Sequence, residues 1–443
     1  MWIYYLLPTA IAFFYCTLKK GIMRFMKLIN CKKEIFINLQ EEFKWSNFLQ
    51  SNEIYELQVS RNNYLFCERL ALVENEEVVG LAVINYTKKW RYFKQALLIH
   101  GPLLKNGNSE QRYQQAIKLI EEHVRTKKAL SLMIHPNQIR THNNENLQVI
   151  SQNNHAYINE FLLDKGYLNY YDTDFLLEGD NQNFIKDLRS YNSYKELVDS
   201  FSPVLIRNIK KSKEAYVKVR ELDESEIYHF YQILAKTAKR RNFSIPDKQF
   251  FQQLKTNFGS RAKFMFAYLE CKPYEKSLND QIVDFTKKIA ELKQKPDSKK
   301  RNVAIKNTKQ KLNSYHKRLQ DFHSFKINSD ILPLSSYLFI EHGNQLLSYF
   351  GGNLEEYLVF GGATMINIEM LTYAVDHRID YFNFGGTIET DKSKEGIGNF
   401  NYKKQFGGQL CQYWGSYTKG LTRVGNLAVW IKIKRLTNSK SND

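Results

Sequence analysis

The chain has 443 residues, long enough for two or more domains, and its 43% apolar and 14% aromatic content excludes a disordered protein. A net charge of +18, from 64 Lys and Arg against 46 Asp and Glu, favours polyanionic partners: nucleic acid, anionic lipid or phosphorylated substrates. The five cysteines, Cys16, Cys31, Cys67, Cys271 and Cys411, lack C-x-x-C spacing, which argues against a disulfide framework or zinc site and fits a reducing compartment. No H-E-x-x-H, G-x-S-x-G or Walker sequence occurs, and the histidines form no ligand-spaced cluster. No metal is assigned and no cofactor is expected.

Residues 2–16 are apolar and aromatic, with Lys19 and Lys20 behind them. The run is short for a membrane span, which needs about 20 residues, and Pro8 interrupts it. Its positive charge follows the apolar part, whereas a signal peptide carries it in front. The run reads as a weak membrane anchor or as sequence upstream of a start at Met23 or Met26. The second reading is favoured, so residues 1–25 are set aside from the fold. Residues 30–174 read as a mixed layered domain. A helix is expected at 44–49, and paired strands at 71–73 and 78–85. A strand at 96–99 ends at His100-Gly101-Pro102, an amphipathic helix covers 111–126, and a strand at 130–134 ends at His135-Pro136.

The second half begins near Phe184, with a helix at 193–201, then a basic helix, then a strand at 218–221. Arg207, Lys210 and Lys211 share one face of the basic helix through i, i+3 and i+4 spacing. Such a face can grip a diphosphate, or can simply be solvated. Ile227, Phe230, Tyr231, Leu234 and Ala238 stripe a helix over 223–241, with Asp223 or Ser225 as N-cap. A helix at 247–257 and a strand at 262–269 follow.

Residues 274–325 break the pattern. Leu278, Ile282, Phe285, Ile289 and Leu292 keep heptad spacing, as do Ile305, Thr308, Leu312, Tyr315, Leu319 and Phe322, with Pro296 between the runs. This predicts an antiparallel helical hairpin inserted between two strands. From 270 to 326, 15 Lys and Arg face 7 Asp and Glu, so the arm reads as a solvated spacer or as a basic arm for nucleic acid.

A strand hairpin at 335–341 and 345–350, a helix at 363–375 and a strand at 381–384 lead to Gly385 and Gly386. Glycine there permits a sharp turn or close approach to a ligand. Residues 387–398 read as an exposed, charged loop. Lys403 and Lys404 then sit among Phe400, Tyr402 and Phe406. An ammonium in that setting can stabilise an oxyanion or a phosphate, and the same residues also read as a basic loop before an edge strand. A last strand is expected at 409–417. The basic tail at 425–436, with Trp430, is expected to pack on the body, the other reading being contact with an anionic membrane.

Tyr381-Phe382-Asn383-Phe384-Gly385-Gly386, followed by Tyr402-Lys403-Lys404-Gln405-Phe406-Gly407, resembles the C-terminal signature of the Fem family of peptidoglycan aminoacyltransferases. That signature reads FGG, a glycine-bearing loop, then F-K-x-x-F-G. Tyr402 replaces the usual phenylalanine, and Asn383 stands where an aspartate is frequent. Phe48-Leu49-Gln50-Ser51 is similar to the family's F-x-Q-S, and Gly101-Pro102 matches a second N-terminal mark. The family's next tryptophan and lysine fall on Ile54 and Gln58. The lysine position is associated with the acceptor's phosphates, so Gln58 implies an altered contact or acceptor. Arg207 is the nearest match to an arginine of the acceptor's diphosphate site. Thr237-Ala238-Lys239-Arg240-Arg241-Asn242-Phe243 matches T-A-x-R-x-x-F. Some members carry a coiled-coil arm at the position of residues 274–325, thought to meet tRNA.

The resemblance implies an α/β (α+β) fold of two GNAT-like domains with an antiparallel coiled-coil arm in the second. The expected division is 1–25 leader, 26–175 first domain, 176–273 with 326–425 second domain, 274–325 arm and 426–443 basic tail. The implied reaction is aminoacyl transfer from aminoacyl-tRNA to the stem-peptide amine of a lipid-linked peptidoglycan precursor (lipid II), in the cytoplasm or peripherally on the inner face of the membrane. Lys403 and Tyr402 are expected at the reacting centre. Arg207, Lys210, Lys211, Gln58, Gly385, Gly386 and Phe406 are expected to bind substrates. No general base stands out. Other readings are an RNA-binding protein without catalysis, a family member with lost activity, and an acyl-CoA-dependent N-acyltransferase. For the last, Lys394-Glu395-Gly396-Ile397-Gly398 has the wrong first residue for a pyrophosphate loop.

Overall fold

The computed structural model describes residues 26–89, 93–105, 109–152, 155–169, 181–325, 327, 329–386 and 394–440. The leader 1–25 and residues 387–393 of the expected loop lie outside them. Two mixed sheets form the body. The first runs Met26–Asn30, Phe66–Glu74, Glu77–Lys89, Phe93–Ile99, Ala129–His135, Tyr417–Gly420, Leu168–Asn169, and Leu103–Leu104 pairs with Glu77–Lys89. The second runs Val217–Glu221, Ala262–Glu270, Ile331–His342, Gln345–Asn353, Tyr381–Gly386, Gln182–Asp187, Gln409–Tyr413, Ile139–Asn143, Val149–Gln152.

Each sheet holds one parallel pair, and parallel neighbours require a crossover. In the first, Phe93–Ile99 reaches Ala129–His135 through the helix Glu110–Thr126. That helix forms because Tyr113, Ile117, Ile120 and Val124 recur on one face and the Ser109 hydroxyl caps Arg112 N. In the second, Gln345–Asn353 reaches Tyr381–Gly386 through Gly362–Asp376, a helix with buried residues nearly all round. The two expected α/β units are therefore present, each built on a β-α-β crossover.

Sheet membership crosses the expected boundary at 175/176 in both directions. Ile139–Asn143 and Val149–Gln152 extend the second sheet, and Tyr417–Gly420 enters the first. The cause is apolar: Ile139, Ile185, Cys411 and Tyr413 bury one another. The single strand expected at 409–417 is broken at Gly415 (φ +80°), and its halves serve different sheets. Gln409–Tyr413 is an interior strand, which corrects the edge-strand reading.

The helix expected at 44–49 is replaced by a strap that crosses between the two sheets. Lys44 O accepts from Asn344 N (2.9 Å), Ser46 O accepts from Gln345 Nε2 (2.8 Å), and Trp45 Nε1 donates to Asn137 O (3.2 Å). Distant partners thus take the backbone groups a helix would have used, and only Phe48–Gln50 makes a 3-10 turn. The Gln50 side chain holds Val83 N (2.8 Å), Val83 O (3.2 Å) and Ile99 O (2.6 Å), and the Ser51 hydroxyl caps Asn52–Arg61. The Phe48-Leu49-Gln50-Ser51 match is therefore a fastening device.

The arm consists of Cys271–Gln294 and Lys299–Ser324. Twenty-four helical residues extend about 36 Å. Phe285 meets Tyr315 across the seam (5.4 Å between ring centroids), and Tyr274 roots the arm against Phe322 (5.1 Å) and Phe360 (5.7 Å). The tail helix Arg423–Lys440 starts against the body, where Val429 is buried. A Cβ at Gly425 would overlap Leu130 O, and Trp430 stays exposed. No described helix is long and apolar enough to cross a membrane.

Burial holds the imidazoles of His135 and His342 down to about 4, against 6.5 in an open chain. On acidification the unfolded state takes up their protons first. Stability is then level above about pH 6.5 and falls between there and about pH 4. Urea midpoints should match at pH 7 and 8 and drop at pH 5, with a shallower drop in His342→Gln.

Candidate active site

Tyr381–Gly386 pairs with Gln345–Asn353 over only three positions, Gln345↔Tyr381, Leu346↔Phe382 and Leu347↔Asn383. Beyond them lies a cavity of about 690 Å³, with Ser348, Tyr349 and Gly351 on one strand and Phe384, Gly385 and Gly386 on the other. Glycine is required at 385: its φ is +76°, and a Cβ would stand 2.6 Å from Ser348 O.

Lys403 lines this cavity from the last turn of the helix Lys394–Lys403. Its ammonium donates to Gly385 O (3.1 Å) and Gly386 O (2.5 Å), and only 7% of the residue is exposed. Part of the expected loop 387–398 is therefore helical despite Gly396 and Gly398. Phe400, buried against Phe184 at 6.0 Å, docks the helix, and packing overrides the weak helix propensity of glycine. Asn383, 2% exposed, shapes the turn. Its Oδ1 accepts from Gly385 N (2.9 Å) and its Nδ2 donates to Gln345 Oε1 (3.2 Å). Gln345 also bonds Ser46 O, so a polar chain runs from the strap to the carbonyls that hold Lys403.

Tyr402 also lines the cavity, and its hydroxyl accepts from Asn367 Nδ2 (3.1 Å). Burial, with Tyr337 nearby, pushes its phenol well above the usual tyrosine range. It stays protonated at neutral pH and acts as a hydrogen-bonding group, not as a base. If Tyr402 serves the reaction as a hydrogen-bonding group, Tyr402→Phe should lower the rate less than about tenfold in steady-state kinetics, because one neutral hydrogen bond is worth about 1 kcal/mol.

Phe406 is fully buried behind these groups, with ring centroids 5.1 Å from Phe384, 5.2 Å from Tyr402 and 5.9 Å from Phe201. It lies in the core, and it is not among the lining residues, where the expectation that it binds substrate would put it. The basic helix is Pro203–Glu214, capped by Ser202, and it buries Leu205, Ile209 and Ser212. That orientation brings Lys211 onto the cavity lining together with Asn208. Arg207 and Lys210 are exposed on the same helix, away from the lining, so the three cations do not converge on the cavity. Gln58 lies half-exposed on Asn52–Arg61, where it accepts from Asn63 Nδ2 (3.3 Å), and it is not a lining residue.

Arg241, Tyr337, Asn367 and the Gly361-Gly362 turn also line the cavity and were not singled out in the sequence. Arg241 lay inside a motif whose cations were not separated. The paired glycines at 351–352 and 361–362 were the other available signal. Gly351 has no room for a side chain because the Tyr337 ring lies over it.

A cavity where the pairing of two parallel strands ends, a lysine fixed at it by two peptide carbonyls and a helical arm rooted in the same sheet make up the second half of the molecule. The chain belongs to the FemAB family, whose profile matches residues 32–425. It is similar to the Aminoacyltransferase FemA of Staphylococcus epidermidis, 23% identical over 414 residues, covering 90% of this chain and 97% of that one. It is 24% identical over 424 residues to the Staphylococcus aureus FemA, covering 90% and 96% of the two chains. Among solved structures, FemX superposes with a TM-score of 0.70 at 17% identity, over 92% of this chain and 99% of that chain.

Proposed function

We propose that this protein is an aminoacyltransferase that moves an amino acid from aminoacyl-tRNA to the stem-peptide amine of a lipid-linked peptidoglycan precursor, building an interpeptide bridge. The observation that carries this reading is the buried Lys403 ammonium, which two peptide carbonyls hold at the edge of the strand-gap cavity. The ester of aminoacyl-tRNA is already activated. The protein must align the amine with the ester carbonyl and stabilise the oxygen that becomes negative. The amine nitrogen bonds to the carbonyl carbon, the bond from that carbon to the ribose oxygen breaks, and the amine proton leaves to the departing ribose oxygen or to water. Lys403 faces the developing oxyanion, and Tyr402 frames the channel. Arg207 and Lys210, exposed on the helix that brings Lys211 to the cavity, meet the acceptor's diphosphate. Neutral Gln58 leaves that contact weaker than a lysine would. The arm, with its excess of cations, follows the RNA. The acceptor places the reaction at the inner face of the cell membrane.

The test is transfer itself. The purified full chain is incubated with lipid-linked precursor and radiolabelled alanyl-, seryl- or glycyl-tRNA, and label is followed into the lipid fraction. Label from one of these donors is the expected result. No label from any donor, with the chain folded and RNA bound, overturns the catalytic reading. Gln58→Lys then shows whether the neutral side chain is the cause.

A further inference from the structure

We infer that the outer face of the tail helix Arg423–Lys440 is a foot that rests on an anionic lipid surface. Val424, Leu427 and Trp430 enter the interface, and Arg423 and Lys434 meet the headgroups. Such a foot goes beyond the lipid-linked acceptor proposed above, and its test uses vesicles without acceptor, so either can fail alone. The helix divides by burial. Gly425 and Val429, one turn apart, are buried against the body. Arg423, Leu427, Trp430 and Lys434 recur at i, i+4, i+7 and i+11 on the opposite side, and all four are exposed.

A helix that packs on a body by one side ordinarily turns polar residues to water. Here Val424 is 49% exposed, Leu427 56% and Trp430 55%. Apolar groups left outside and rimmed by cations mark an interaction surface. The Lys434 ammonium lies over the Trp430 ring, 4.9 Å from its centroid. An amphipathic ring beside a long cationic side chain suits the level of lipid headgroups, where the stem and ring are covered and the charge stays wet. From 422 to 442 the sequence holds five Lys or Arg and no Asp or Glu. Charge complementarity therefore selects an anionic surface.

A second observation comes from the sheet on which the helix starts. Leu421 N donates to Leu130 O (2.7 Å) and Arg125 Nη1 donates to Leu421 O, which seats the helix start beside the turn that opens Ala129–His135. That turn carries Lys127 and Lys128, and Lys94, on the neighbouring strand, donates to Lys127 O (3.1 Å). Lys88 stands directly opposite Lys94 in the antiparallel ladder. Like charges so placed weaken a sheet, and an anionic surface relieves them. Glu68 holds Lys127 (2.8 Å) and Glu121 holds Arg125 (2.7 Å), while Lys88 and Lys128 stay exposed. RNA would use the cations and the Trp430 ring but has no partner for the aliphatic Val424 and Leu427. A lipid interface takes both.

The probe is vesicles of phosphatidylglycerol and phosphatidylcholine in equal parts, floated with the full chain on a density gradient. Vesicles of phosphatidylcholine alone are the neutral control. Wild-type protein should float with the anionic vesicles and far less with the neutral ones. The double variant Leu427→Gln/Trp430→Gln should weaken binding at least about tenfold, the loss of two inserted apolar side chains. Arg423→Gln and Lys434→Gln should each weaken it about fivefold on anionic vesicles and less than about twofold on neutral ones. Circular dichroism verifies that the variants are folded. Anionic binding that all four substitutions leave unchanged overturns the inference and moves lipid contact elsewhere on the chain, the apolar run 2–16 first. A wild-type chain that floats with neither vesicle overturns it too, while transfer to the lipid-linked precursor is decided by its own assay. If instead the double variant turns a dimer into a monomer in lipid-free sedimentation, the face belongs to a second copy and the inference falls.

Discussion

Lys403→Met lowers the rate of transfer about 100- to 1,000-fold, the range seen when one preorganised oxyanion donor is removed. RNA and acceptor affinities stay within about twofold. Methionine keeps most of the aliphatic stem and removes the charge, so the change isolates the ammonium. Gly385 O and Gly386 O lose their donor in the variant. Leaving such carbonyls unpaired costs about 1–3 kcal/mol of stability, and the comparison is made well below the unfolding transition. Single-turnover transfer with both substrates bound is the measurement, since it separates chemistry from binding. A wild-type single-turnover rate in the variant rules Lys403 out as the oxyanion partner. Lys403→Arg restores little, because a planar fork cannot occupy a site shaped by two adjacent carbonyls around a compact ammonium.

Gln50→Ala destabilises the fold by about 3–5 kcal/mol. The side chain is 1% exposed and serves three backbone groups at once, Val83 N, Val83 O and Ile99 O. Its removal leaves those groups buried without partners and opens a hole beside Gly101, whose Cβ would lie 2.8 Å from the Gln50 amide. Gln50→Glu is nearly as harmful, because a carboxylate placed against two carbonyl oxygens has nothing to donate. Urea unfolding at pH 7.5 measures both, and a loss below 1 kcal/mol for Gln50→Ala would refute the fastening role. Activity should fall along with stability. The strap that Gln50 anchors also accepts from Gln345, and Gln345 holds Asn383 at the turn that presents Gly385 to Lys403.

What the sequence made legible was decided locally. The arm, the capped helices and most strands follow from heptads, alternation and N-cap residues within one element, and these lie where expected. The strap at 44–50 and the helix Lys394–Lys403 were not legible, because their partners, Asn344, Asn137 and Phe184, are far away in the chain. The site divides in the same way. Tyr402, Lys403, Gly385 and Gly386 belong to one short motif and line one cavity. Arg207, Lys210 and Lys211 share a helix face, but only the packing of Leu205 and Ile209 decides that Lys211 turns to the cavity. Arg241 and Asn367 gain their place from three helices meeting, which no spacing within one element encodes.

The exchange of strands between the two sheets has a consequence for how the protein is made. Ala129–His135 leaves the ribosome early, but one of its neighbours, Tyr417–Gly420, is translated roughly 280 residues later. At about 5–20 residues per second that interval is roughly 15–60 s. Throughout it the nascent first sheet presents an unpaired strand edge, the kind of surface that recruits other chains. A transcript cut short before codon 417 therefore yields no self-sufficient N-terminal half, only a polypeptide whose first sheet keeps that edge open.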